Sequence, residues 1–123
     1  MAELGLSSSA EFVDTTNDSI VIMKMIDDIT GGKVLDTTGF TDEVISAGHG
    51  VIKQDGTENY KPLPVDGAIP AGHTAAGVVI GSVLTKYPAV GVMIRGKVNE
   101  EAAKYPFSAA FKSALSLITF TKD

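Results

Sequence analysis

Val90-Gly91-Val92-Met93-Ile94-Arg95-Gly96-Lys97-Val98-Asn99-Glu100 is the stretch that decides the fold class of this chain. Val90, Val92, Ile94, Gly96 and Val98 alternate with Gly91, Met93, Arg95 and Lys97, a period of two that an extended strand satisfies and a helix does not. The reading puts the valines on one face and Arg95 and Lys97 on the other, solvated or at an interface. Upstream, Ala75 to Leu84 is a second apolar segment. Downstream, Asn99 is placed to cap a short helix, with Glu100 and Glu101 in its first turn. Phe107, Phe111, Ala114, Leu115 and Ile118 recur at helical spacing and predict a helix over 107–116, with Ser108 as its cap. The stretch closes on Leu117-Ile118-Thr119-Phe120.

Working toward the N-terminus, Asp66-Gly67 and Pro70 mark a loop. Glu43 to Lys53 reads as a strand carrying small residues, Asp55-Gly56 as a turn, and Tyr60 to Leu63 as a short return strand. Pro62 and Pro64 put that return at a sheet edge, because proline cannot donate to a ladder. Ser19 to Ile26 is a further strand, punctuated by Asp27-Asp28 and Gly31-Gly32. Met23 and Met25 share a face of it and read as core or interface packing. Residues 1–18 are small and polar, and Leu4, Leu6, Phe12 and Val13 make no sustained periodic face. They are expected to form a flexible arm. The organisation is thus an arm over 1–18 and one β-rich domain over 19–123. The expected fold is mainly β, a small irregular sheet or partial barrel with one or two short helices.

With 123 residues the chain suits one core, and 44% apolar residues can fill it. No apolar run approaches the roughly 20 residues needed to cross a bilayer. The first residues lack the basic-then-apolar order of a secretory signal. Cysteine is absent, which excludes disulfides and thiolate metal sites and fits a reducing compartment. The net charge of −5 is unevenly spread: residues 1–66 hold 12 acids and 4 bases, and residues 67–123 hold 3 acids and 6 bases. Such asymmetry can orient a molecule against a charged partner. An acidic chain without tryptophan or a basic-aromatic patch is not built for nucleic acid.

Residues that could carry chemistry are few. His49 and His73 each follow a glycine, but no nucleophile or ligand set accompanies either at a useful spacing, so packing or surface roles are expected. Asp27, Asp28 and Asp36 lack the alternating oxygen spacing and terminal glutamate of a calcium loop. Ser7-Ser8-Ser9 lies in the arm, where nothing would hold a nucleophile in place. Gly77, Gly81 and Gly91 match neither phosphate-loop pattern. Glycines in strands mark bulges or close backbone approach. No cofactor and no metal are expected.

The order Gly77-Val78-Val79-Ile80-Gly81-Ser82-Val83, then Val90 to Glu100, then a helix ending near Ala114-Leu115 and Ile118-Thr119-Phe120, resembles the head decoration proteins of tailed phages. These are the lambda head protein D group and the related head-fibre capsid-binding domains. Ile45-Ser46-Ala47-Gly48-His49-Gly50-Val51-Ile52, Asp55-Gly56 and Tyr60-Lys61-Pro62-Leu63 resemble the strand-turn-strand of the same group. The likeness spans about Glu43 to Phe120. The segment Ser19 to Thr41 departs from the smallest members. The resemblance implies a non-enzymatic cement protein, made in the bacterial host cytoplasm and seated on the virion's capsid exterior. It implies the major capsid protein as partner and a homotrimer, or a dimer. It also implies an N-terminal arm that adds a strand to the capsid protein. Leu4, Leu6, Phe12 and Val13 would then be capsid anchors. Arg95 and Lys97 would face a neighbouring subunit or the capsid. Several arms on one oligomer would multiply weak contacts.

Two other classes fit less of the chain. Ile45 to Ile52 also suits a cellular β-clip or antifreeze-like module binding a glycan or peptide. A small hydrolase using His49 or His73 would need a nucleophile, base and orienting group that cannot be named.

Overall fold

The computed structural model describes residues 18–29 and 31–122, and over them the chain is mainly β. A single helical turn, α1 (Asp18–Val21), leads into β1 (Ile22–Asp28). Then come β2 (Lys33–Val34), β3 (Val44–Ile45), β4 (Gly50–Gln54), β5 (Tyr60–Pro62), β6 (His73–Val79), β7 (Val83–Leu84), β8 (Ala89–Val90) and β9 (Val92–Asn99). Helix α2 (Ala109–Ala114) and β10 (Ile118–Thr121) complete the order. The main sheet runs β1-β9-β6-β4-β5 and stays open. Strand β5 is an edge, as its proline requires. Strand β1 lies along one side of β9, so β6 and β10 share the other: β6 pairs with Val92 and Met93, and β10 runs parallel to β9 from Gly96 to Asn99. Two small ladders, β2 with β8 and β3 with β7, stand outside this sheet.

Adjacent residues of β4, β6 and the start of β9 go to opposite faces, and there both faces are covered. Ile52, Val78 and Met93 join Val21, Leu63, Val98, Phe111 and Ile118 in one buried cluster. Their neighbours Val51, Val79 and Val92 join Leu35, Ile45 and Val90 in another. A sheet buried on two sides needs continuous apolar runs, which explains Gly50-Val51-Ile52 and Gly77-Val78-Val79. The first cluster is closed by α2. Ser108 caps it, its hydroxyl accepting from Phe111 N at 3.2 Å, and Lys112 in the last turn reaches Glu100 at 3.2 Å. Phe111 is fully buried and stacks on Phe107 with ring centroids 5.5 Å apart. Burial of such a ring contributes about 1.5–3 kcal/mol.

The strict alternation expected from Val90 to Val98 is interrupted. Val92 lies in the second cluster and Val98 in the first, although both positions are even. The cause is a bulge in the β1–β9 ladder. Asp28 pairs with Met93 and Asp27 with Arg95, so Ile94 is an extra residue on β9 and reverses the phase beyond it. Gly96 sits where this kink brings strands together, since a Cβ there would lie 2.2 Å from the Lys24 carbonyl oxygen.

Other expectations are corrected by turns. The stretch Glu43 to Lys53 is two strands, not one: the chain reverses through Ser46–His49, with His49 N donating to Ser46 O at 3.0 Å and Gly48 at φ 85°. Only glycine fits there, because an added Cβ would meet Val21 Cγ1 at 2.2 Å. The strand expected from Ser19 starts at Ile22, because Ser19 to Val21 belong to α1. The apolar segment Ala75 to Leu84 breaks after Val79. The helix over 107–116 is shorter, Ala109–Ala114. Asn99 does cap, its Oδ1 accepting from Glu101 N at 3.2 Å, but the residues after it form a series of turns and no helix.

Candidate functional site

The second face of the main sheet is covered over only part of its width. The loop and small ladders carrying Leu35, Ile45 and Val90 pack over β4, β6 and the start of β9. Beyond the bulge, nothing among the described residues covers the same face of β1, the end of β9 and β10. Lys24, Lys97 and Thr119 form one row across the three strands, with Lys24 directly opposite Lys97 and Lys97 directly opposite Thr119. Arg95, opposite Asp27, is next to this row. Lys24, Arg95 and Thr119 are exposed and Lys97 is half-buried. Arg95 and Lys97 thus share a solvent-side surface, but the bulge puts them on the broad face that Val92 also occupies and not across from all the valines, and Lys24 joins them there. Lys33, Lys53, Lys104, Lys112 and Lys122 each have a carboxylate within 4 Å. Among the described residues Lys24, Arg95 and Lys97 have none. Two like charges directly opposite on neighbouring strands are unfavourable.

Beside this face the chain joins the body. The carboxylate of Asp18 accepts from Ser82 N at 2.9 Å and from Ser82 Oγ at 2.7 Å. Ser82 Oγ in turn accepts from Ala47 N at 2.9 Å. Asp18, the last residue of the expected arm, is therefore an anchor in the folded part. Leu4, Leu6, Phe12 and Val13, the expected capsid anchors, lie outside the described residues.

His49 is a packed side chain. Its Nε2 donates to the Leu63 carbonyl at 2.8 Å, and its ring meets the edges of Phe40 and Tyr105 with centroids 5.2 and 5.8 Å away. Burial pushes the imidazole below its usual range, against the opposing pull of the Leu63 carbonyl and Asp42. The Tyr105 hydroxyl donates to Asp42, which holds that carboxyl down and raises the phenol, and Lys104 stands 3.4 Å from the same carboxylate. With its donor nitrogen committed to a carbonyl, His49 serves the turn that joins β3 to β4.

His73 donates from Nδ1 to Ala71 O at 3.0 Å, which leaves Nε2 buried without a partner among the described residues. It borders a shallow cleft of about 230 Å³ with Phe40, Lys61 and Pro62. Asp27 and Asp28 lie in β1. The Asp36 carboxylate is occupied by the Thr38 hydroxyl at 2.7 Å and Asn59 Nδ2 at 3.3 Å, which hold it below the usual carboxylate range. No cluster of three or more metal-binding side chains occurs among the described residues.

No protein-family model, no curated protein and no solved structure matches this chain.

Sequence reasoning missed Lys24 and the Asp18–Ser82 link. Lys24 had a visible signal: it is the one charge within Ile20-Val21-Ile22-Met23-Lys24-Met25-Ile26. The pairing of Asp18 with Ser82, 64 residues away, has no local signature.

Proposed function

We propose that this chain is a capsid decoration protein, a binding module that seats on the outer surface of an assembled phage head and cements it. The observation that supports this most is how the body and the preceding chain meet. A β body with a buried cluster on each side of its sheet is gripped at Asp18 by Ser82, and residues 1–17, with Leu4, Leu6, Phe12 and Val13, precede that grip in the chain. A body with a fixed tether root transmits load from a strand added to the capsid protein to the folded domain. The sequence likeness over Glu43 to Phe120 points the same way. Self-association as a trimer or dimer multiplies such attachments, each raising the effective concentration of the next.

The test is amide hydrogen exchange on the full chain, alone and with assembled heads that lack it. The expected result is new protection over residues 1–17 when heads are added. Protection already complete in the free protein, or no association with heads, overturns the proposal. Saturable binding to a glycan or peptide library without binding to heads would favour the β-clip reading.

A further inference from the structure

We infer that the open face of β1, β9 and β10 is a docking surface for an acidic polypeptide surface on the partner. This rests on the attachment reading above and names the surface and the chemistry it uses. Three observations carry it. Among the described residues the second face of the main sheet is covered over only part of its width, and the bare part is the one that holds Lys24, Arg95 and Lys97. Lys24 and Lys97 stand directly opposite each other with no carboxylate of the described residues within 4 Å, while Lys53, Lys104 and Lys112 elsewhere on the body are paired. A like-charge pair set side by side is a cost in the free protein that an incoming anion removes. The flanking Thr119 offers a hydroxyl in the same row.

The occupant is set by charge and shape. Among the described residues the face is an open strand surface formed by Lys24, Arg95, Lys97 and Thr119. The chain as a whole is acidic, with most of its carboxylates in residues 1–66, so a long polyanion is repelled by the rest of the molecule. A discrete carboxylate patch on a protein surface satisfies the local cations without meeting that repulsion.

The experiment is co-sedimentation with assembled heads lacking this protein, at about 50 and about 500 mM salt. It uses the wild type, K24E/K97E, and K53E/K122E as a variant with the same change in net charge elsewhere. K24E/K97E is expected to bind about 30-fold more weakly at the lower salt, with the difference shrinking at the higher. K53E/K122E is expected to bind within about threefold of wild type. A second variant guards against misfolding: Lys97→Gln removes the like-charge contact and is expected to raise the melting temperature by about 2 °C while weakening binding. Equal binding by wild type and K24E/K97E overturns this assignment and leaves attachment through residues 1–17 standing. Failure of the wild type to bind heads removes the attachment reading and this one with it. Binding to phosphatidylserine vesicles or duplex DNA in place of heads also overturns the acidic-polypeptide partner.

Discussion

Gly48→Ala is a sharp test of how the N-terminal turn is held to the body. Two separate costs arise at this position. The backbone is left-handed, φ 85°, and a side chain there costs about 1–2 kcal/mol. The new methyl would also sit 2.2 Å from Cγ1 of Val21, which is itself only 3% exposed and has no free space to enter. Relief requires Val21 to leave its rotamer or α1 to shift, an overpacking cost of about 1–3 kcal/mol. The sum is about 2–5 kcal/mol. With a urea slope of about 1.4 kcal/mol per molar, the midpoint falls by roughly 1.5–3.5 M. Gly56→Ala supplies the comparison, because its φ is 75° but nothing lies within 4 Å of the added methyl. It should show the backbone cost alone, about 1–2 kcal/mol. The double variant Gly48→Ala/Val21→Ala should lose about 1–3 kcal/mol less than the two single losses combined, since the clash has been removed. Equal losses for Gly48→Ala and Gly56→Ala, or additive behaviour in the double variant, would refute the contact between the Ser46–His49 turn and α1.

Asp18→Ala should cost about 2–3 kcal/mol by urea unfolding and speed exchange at the Ser82 amide, because two hydrogen bonds to a charged group are lost together. Unchanged exchange at Ser82 would deny the anchor. His49 makes stability depend on pH: its folded pKa lies below the unfolded value of about 6.5, so the unfolded chain binds more protons and stability falls as pH drops through that value toward the folded pKa. The slope from this group is at most about 1.4 kcal/mol per pH unit, and His49→Gln should flatten it in urea titrations between about pH 7 and 5. An undiminished slope in that variant would place the titration elsewhere. Phe111→Ala should lose about 3–5 kcal/mol by thermal or urea unfolding, since the ring is fully buried in the first cluster against α2 and the sheet. A loss under about 1 kcal/mol would mean that α2 does not close that cluster.

The parts of the fold legible in the sequence are those set by near neighbours. Ser108 before Phe111, the Asp55-Gly56 turn and the proline-marked edge at β5 each depend on a few consecutive residues. Capping, turn and edge chemistry are written at that range. The part that was not legible depends on which face of the sheet is covered. Val51 and Ile52 look alike in a sequence, yet one packs under β3 and β7 and the other under α2. Hydropathy marks both as buried and says nothing about which cluster receives them.

Ile94 shows why this matters for the binding surface. Read with unbroken alternation, Val92 and Val98 share a face, and Arg95 and Lys97 lie across from both. The extra residue at Ile94 changes the partition: Arg95 and Lys97 end up on the broad face that Val92 also occupies, past the point where the second cluster stops covering it. Without the bulge, continuing the phase of Met93 would turn Arg95 and Lys97 into the cluster of Val21 and Phe111, where an unpaired cation costs several kcal/mol. One inserted residue therefore keeps the first cluster apolar and leaves the cations outside it. Further register shifts within β1, between Met25 and Asp27 and between Ile22 and Lys24, set Lys24 opposite Lys97, on a strand whose far side pairs with no other described strand. That placement combines exposure, like charge and a missing counter-ion, and a period-two reading of β9 alone contains none of the three.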